Sequence, residues 1–380
     1  MTETLALTKA LIQQPSVTPD DAGCMDLISQ RLQKLDFVIQ RLPFDEVDNL
    51  WAICGSKGPL TVFLGHTDVV PPGELNNWES PPFQPTIRDG NLYGRGSADM
   101  KGSVAAMITA CERFFTLNPT NQQRFAFLLT SDEEGPAING TQKVINYLNE
   151  QNIHIDYCLV GEPSSKDSLG DTIKNGRRGS LNGTLVLKGQ QGHIAYPHLA
   201  INPIEKCPEL LQALFSKQWD QGHPDFSATQ FQISNIQAGV GATNVIPGEL
   251  TITFNFRFSP SSTVESLQQQ MNELIKDCYL FPFDIDWTVS ALPFLTPEGN
   301  WLQAIQTAIL KVTGRKAIAS TSGGTSDGRF VAPTGSQVVE LGPINASIHQ
   351  YNEHVNIEDL ESLSTIYEEI LQQILNKPTE

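Results

Sequence analysis

The sequence is short of positive charge. Only 25 Lys and Arg stand against 42 Asp and Glu in 380 residues, a formal net charge of −17. Such a chain repels phosphate backbones, so no nucleic-acid partner is expected. Anionic membrane surfaces are disfavoured on the same ground. Long hydrophobic runs are also missing: none approaches the roughly 20 residues that cross a bilayer, so no membrane partner is expected. The opening Met1-Thr2-Glu3-Thr4 lacks the basic and apolar segments of a signal peptide, which by default gives a cytoplasmic address. Cysteine is sparse. The six residues at 24, 54, 111, 158, 207 and 278 form no C-x-x-C pair, which argues against metal knuckles and a disulfide framework. The phosphate-cradling G-x-x-x-x-G-K-[ST] is absent from the Gly-rich stretch Gly94–Gly102.

What is present suits a globular chain of about two domains: hydrophobic residues make up 39%, and 29 glycines add to them. Four short apolar runs stand out, Leu60–Leu64, Phe125–Leu129, Tyr157–Val160 and Val338–Leu341. None alternates with polar residues, as expected of strands buried on both faces. Helical patterns over Gly102–Phe115 and Gly140–Asn149 lie between them. This alternation predicts an α/β fold with a mainly parallel sheet flanked by helices. The middle of the chain differs. A strand over Leu181–Leu187, a helix over Pro203–Lys217, strands over Thr229–Ile236 and Glu249–Phe258, a helix over Val264–Tyr279 and a strand over Phe283–Val289 follow in order. That β-α-β-β-α-β sequence predicts an inserted α+β, ferredoxin-like domain. The expected division is a first domain over 1–177, the insertion over 178–291, and a return to the first domain over 292–380. Helices from about Asn300 and Ile357 complete it.

The chemistry-bearing residues cluster after the apolar runs. His66 and Asp68 follow the first, Glu133 and Glu134 the second, Glu162 the third, and His349 comes shortly after the fourth. Parallel strands end on one edge of their sheet, where ligands bind. Asp99, in the Gly-rich stretch, is a further candidate. Imidazole and carboxylate together suit zinc, cobalt or manganese better than calcium. Five ligands exceed the needs of one catalytic zinc and suit two metals about 3.5–4 Å apart. Two dications at that range repel by roughly 20 kcal/mol at an effective dielectric of about 20. Bridging anions, a shared aspartate among them, must offset this. Adjacent side chains in extended backbone diverge, so one of Glu133 and Glu134 can ligate while the other handles protons. Asp68 is placed to accept the second ring N–H of His66. His154 and His223 fall at the wrong edge and in a polar loop, and read as surface residues.

Read together, Gly65-His66-Thr67-Asp68-Val69-Val70, Gly94–Gly102, Thr130–Gly135 and Gly161-Glu162-Pro163 resemble the dinuclear zinc amidohydrolase/exopeptidase family that includes aminoacylase, acetylornithine deacetylase and glutamate carboxypeptidase. The resemblance covers nearly the whole chain. It implies a zinc-exopeptidase-like fold and two Zn2+, with Co2+ as a substitute. It assigns His66 and Glu162 to one metal, Glu134 and His349 to the other, Asp99 as the bridge, and Glu133 as general base and acid, with Asp68 orienting His66. It also implies that the inserted domain forms a homodimer and closes over the site. His193, as oxyanion stabiliser, and Asn244, as substrate contact, would then come from the partner subunit.

Narrower motifs point to a branch whose N-acyl substrate carries three carboxylates. They are Asn175–Leu181, Gly192–His198, Asn244–Pro247, Phe254–Phe258, Ser322–Asp327 and Ile348–Glu353. A protein this acidic can hold such a substrate only through local cations, and Arg forks match carboxylates bidentately. Arg178 and Arg257 are the chosen pair, with Ser180, Tyr196, Gly323 and Thr325 as neutral donors. Lys174, Arg177 and Arg329 read instead as partners in surface ion pairs. A relative acting on another acyl group or amine is the alternative.

Overall fold

A computed structural model describes residues 1–376 of the chain. It divides into two compact units. One comprises Met1–Gly176, Leu295–Ser320 and the chain from Gly324 onward; the other comprises Arg177–Phe294 and Thr321–Gly323.

The first unit is built on an eight-stranded sheet. Its order is Val38–Arg41, Asn49–Cys54, Gln123–Thr130, Lys57–His66, Tyr157–Val160, Gln337–Glu340, Thr172–Lys174 and Ile318–Ser320. The four apolar runs are the four central strands, and all are mutually parallel. Lys57–His66 sits between two of the others, and its stretch from Leu60 to His66 is buried throughout. The first two strands add an antiparallel edge that the apolar runs did not predict. The helix Lys101–Leu117 is buried over its whole length from Lys101 to Cys111. It is apolar on nearly every side because it packs against the sheet as well as the helices Glu3–Ile12 and Ile357–Leu375. One close approach requires glycine. A Cβ at Gly342 would lie 2.3 Å from the carbonyl of Glu162, so only Gly lets the chain after Gln337–Glu340 pass the end of Tyr157–Val160.

The second unit is a four-stranded antiparallel sheet, in the order Gln230–Ala238, Glu249–Phe258, Gly179–Lys188 and Phe283–Ala291. Along Glu249–Phe258 every second residue is buried: Leu250, Ile252, Phe254, Phe256 and Phe258. That is the mark of a sheet covered on one face. The covering helices supply Leu210, Leu214, Leu267, Met271 and Ile275. The helix expected over Pro203–Lys217 is two helices, Pro203–Lys206 and Pro208–Ser216. Pro208 has no N–H to continue the first and is favoured in the first turn of the second. The short segment Thr321–Gly323 groups with this unit, through Arg177 Nη1 donating to the Ser322 carbonyl (2.8 Å) and Thr321 Oγ1 donating to that of Asp225 (2.6 Å).

Candidate metal centre

Parallel strands deliver the acidic and imidazole side chains to one rim. His66 is the last residue of its strand, Glu133 and Glu134 follow Gln123–Thr130, and Glu162 follows Tyr157–Val160 by two residues. His349 comes from the loop after Gln337–Glu340. Asp99 comes from the loop that ends where the helix Lys101–Leu117 begins.

These residues meet. Asp99 presents Oδ1 to His66 Nε2 and Oδ2 to His349 Nε2, each at 3.3 Å. Glu162 Oε1 lies 3.6 Å from His66 Nε2, and Glu134 Oε1 lies 3.0 Å from His349 Nε2. Two three-residue groups result, His66–Asp99–Glu162 and Asp99–Glu134–His349, each with ligand atoms within 4.8 Å of one another. Asp99 belongs to both. A further group of the same span joins His66 with Glu133 and Glu134.

The fit to a cation is visible in what these atoms lack. His66 Nε2, Asp99 Oδ1 and Glu162 Oε1 are all buried without a hydrogen-bond partner. A buried polar atom left unpaired costs about 1–3 kcal/mol, more if charged. One cation between the three would satisfy them together.

The same crowding shifts their protonation. Burial pushes the Glu162 carboxyl up to about 7, helped by the Asp99 charge. Burial acts upward on Asp99 too, but the neighbouring His349 and His66 imidazoles outweigh it and hold this carboxyl at about 2. Hydrogen bonds to Asp99 and Glu134 lift His349 to about 10. Glu133 is raised well above the carboxylate range by burial and then by the Glu162 charge.

Asp68 does not act as the sequence suggests. His66 Nδ1 meets the backbone carbonyl of Asp68 at 2.9 Å, whereas the carboxylate stands 3.6 Å away. That carboxylate instead accepts from the amides of Glu133 (3.3 Å) and Glu134 (3.1 Å). A ring two residues upstream reaches the main chain more readily, which leaves the side chain free to fix the Glu133–Glu134 turn. Three other buried acids lie within the motifs named above, which gave them no role of their own. Asp132 accepts from the amides of Ala137, Ile138 and Asn139, closing the loop beyond Glu134. Glu353 braces the Asp99 loop. Asp327 is only 3% exposed and is pushed up to about 6 by burial, with Arg329 opposing from 3.9 Å. Thr325, a half-buried residue of the first unit, has an Oγ1 without a partner.

The second unit carries the remaining candidates in two places. Ser180 opposes Arg257 across neighbouring strands, and Arg257 in turn opposes Gln230. Arg178 Nη1 donates to Gln230 Oε1 at 2.9 Å, and Asn255 Nδ2 to Ser180 Oγ at 3.0 Å. Arg178, Ser180 and Arg257 thus share one end of the sheet. Gly323 has φ +100°, a backbone conformation that disfavours a side chain, and a Cβ there would press on Arg177 Nη1 at 2.7 Å. His193 and Asn244 sit at a small two-stranded antiparallel ladder past the other end, where His193 pairs with Val245 and Ile194 N donates to the Asn244 carbonyl. Tyr196 lies beside His193, with ring centroids 5.6 Å apart. The strand Gly179–Lys188 separates the two places by about 30 Å at its usual rise. Within one chain the two sets do not meet.

Comparison with known proteins matches residues 62–373 to the peptidase family M20/M25/M40. A succinyl-diaminopimelate desuccinylase of Acinetobacter baumannii is 57% identical over 373 residues, 98% of each chain. One from Nitrosococcus oceani is 56% identical over 99% of this chain and all of its own. Among solved structures, a dinuclear-metal-binding peptidase of family M20 from Bacillus subtilis superposes with a TM-score of 0.76 at 17% identity, covering 98% of this chain and 97% of its own. On the extent of these matches, this chain is a member of peptidase family M20/M25/M40.

Proposed function

We propose that this chain hydrolyses the amide of N-succinyl-L,L-2,6-diaminopimelate to succinate and L,L-2,6-diaminopimelate, in the making of lysine and peptidoglycan precursors. The single observation that carries the chemistry is Asp99, which turns one oxygen to each of two histidines, each paired with a glutamate. The relatives at 56–57% identity carry the substrate.

His66 and Glu162 would hold one metal, Glu134 and His349 the other, and Asp99 both. Zinc fits this imidazole–carboxylate donor set, and cobalt would substitute. When bound, such metals would lower the pKa of water from 15.7 to about 7 and polarise the acyl carbonyl. Glu133 is the proton carrier. Half-buried and grouped with His66 and Glu134, it takes the proton of the attacking water and returns it to the departing amine, so the amide and one water leave as carboxylate and amine.

His193 would steady the oxyanion. Its Nδ1 accepts from Ala195 N at 3.0 Å, so the ring proton sits on Nε2, ready to donate. Arg178 and Arg257, with Ser180, would take the substrate carboxylates. Tyr196, Thr325, Gly323 and Asn244 would add neutral contacts. Because His193 and Asn244 lie at the far end of the strand from Arg178, a second copy of the chain would bring them to the site, as a homodimer formed through the second unit. No described helix is long and apolar enough to cross a membrane.

The test is amine release from N-succinyl-L,L-diaminopimelate by zinc-loaded protein, beside N-acetylornithine and a chelator-treated sample. Hydrolysis of the succinyl compound alone, abolished by chelation, is expected. Turnover of acetylornithine instead would keep the metal reading and overturn the substrate.

A further inference from the structure

The loop that presents Asp99 has no sheet or helix to hold it until Lys101. Four donors from it converge on one buried carboxylate. Glu353 Oε1 accepts from the amides of Ala98 and Asp99, each at 3.0 Å. Its Oε2 accepts from the amide of Gly96 at 3.0 Å and from Arg95 Nη1 at 2.7 Å. Glu353 is 1% exposed and Arg95 2%. The contacts run both ways: Gly94 N donates to the Glu353 carbonyl at 3.0 Å, and Arg95 Nη1 reaches the Gln350 carbonyl at 3.3 Å.

Glu353 lies four residues beyond His349. A single pentapeptide therefore carries one candidate ligand and the brace of another. We infer that Glu353 is a positioning residue: with Arg95 it locks Asp99 and the His349 segment into one unit, and loading of the Asp99–Glu134–His349 site depends on that lock.

The dependence is unequal between the two sites. Two of three ligands in the Asp99–Glu134–His349 group hang on this network. In the other group only Asp99 does, because His66 and Glu162 are set by strand ends. Replacing Glu353 with Gln keeps shape and volume but puts an NH2 against N–H donors and strips Arg95 of its counter-charge. The loop amides must then turn, and ligand placement tolerates only about 0.5 Å of error. Partners of metal ligands typically change metal affinity about 10–100-fold when mutated.

This inference rests on the two-metal reading above, and one experiment separates their failures. Metal-free wild type, Glu353→Gln and Arg95→Lys are titrated with zinc by calorimetry, with bound metal counted by elemental analysis and folding followed by circular dichroism. Wild type should take two equivalents; fewer would overturn the two-metal reading itself. For Glu353→Gln the first equivalent should bind within about threefold of wild type and the second at least about tenfold more weakly. If both bind as in wild type, or both weaken equally, Glu353 is no more than a structural staple and the inference falls. Should Glu353→Gln fail to fold, Arg95→Lys decides by the same two criteria, since it keeps the cation but loses the reach of Nη1 to both the Glu353 carboxylate and the Gln350 carbonyl.

Discussion

Asp220 in the second unit and the acids of the metal centre are treated in opposite ways. Asp220 Oδ1 accepts from the amides of Gly222 (2.8 Å) and Thr229 (2.9 Å). Its Oδ2 accepts from the hydroxyls of Thr229, Ser259 (3.0 Å) and Ser262 (2.7 Å). Five donors satisfy it, and they hold it at about 2 against the upward pull of burial. In the first unit, Glu162 Oε1 and Asp99 Oδ1 lie buried with nothing to accept from. A carboxylate whose lone pairs are all met is architecture. Those of Glu162 and Asp99 are kept buried and unmet beside an equally unmet imidazole nitrogen, where one cation would meet all three. The contrast separates the two roles better than charge or burial, which both kinds share.

Four variants would break or sharpen this comparison. The largest effect is expected at Glu133. Glu133→Gln should lose about 10²–10⁴-fold in kcat while still carrying two metals. A folded but metal-free variant would make Glu133 a ligand. Next comes the cationic end of the second unit. Arg178→Ala should raise KM for the succinylated substrate about 10–100-fold, the worth of a charge-assisted hydrogen bond. An unchanged KM would remove Arg178 from the carboxylate pocket.

Smaller still, Asp220→Asn should cost about 1–2 kcal/mol at neutral pH, since its site is partly open to water. The pH profile carries a sign. The folded pKa of about 2 lies below the ordinary 3.8, so the stability from Asp220 is full above about 4 and fades as pH falls through about 2. Thermal melts from pH 5 to 2 should show that loss in wild type and a flatter slope in Asp220→Asn. The least change is expected for Glu162→Gln in metal-free protein, where an unmet charge site is neutralised. Its melting temperature should hold or rise slightly, although its zinc uptake drops. A fall as large as that of Asp220→Asn would erase the distinction drawn here.

Much of the fold could be read before any coordinates. The four short, largely apolar runs are of strand length and lack polar alternation, and they became four parallel neighbours. The four strands expected in the middle of the chain returned as one four-stranded antiparallel sheet. The edge strands Val38–Arg41 and Asn49–Cys54 were not legible, because an edge mixes Gln40, Arg41 and Asn49 with apolar residues and shows no single period. The same limit applies at the site. Histidines and acids after strands announce themselves by position. Asp132 and Glu353 do not, because their partners are main-chain amides, which every residue has. Asp68 shows the finer version: its place in the sequence was informative, but which of its oxygens meets His66 was a matter of main-chain reach.

The two histidines differ in how much solvent they see. The His66 side chain is 1% exposed and that of His349 49%. The two positions should therefore trade ions with the medium at different speeds. In a pulse of isotopically labelled zinc, the His349 position would turn over first, and the label would reach His66 slowly, behind it. A chelator of limited strength should strip the protein in two phases, leaving a half-loaded form that can be isolated and studied in its own right.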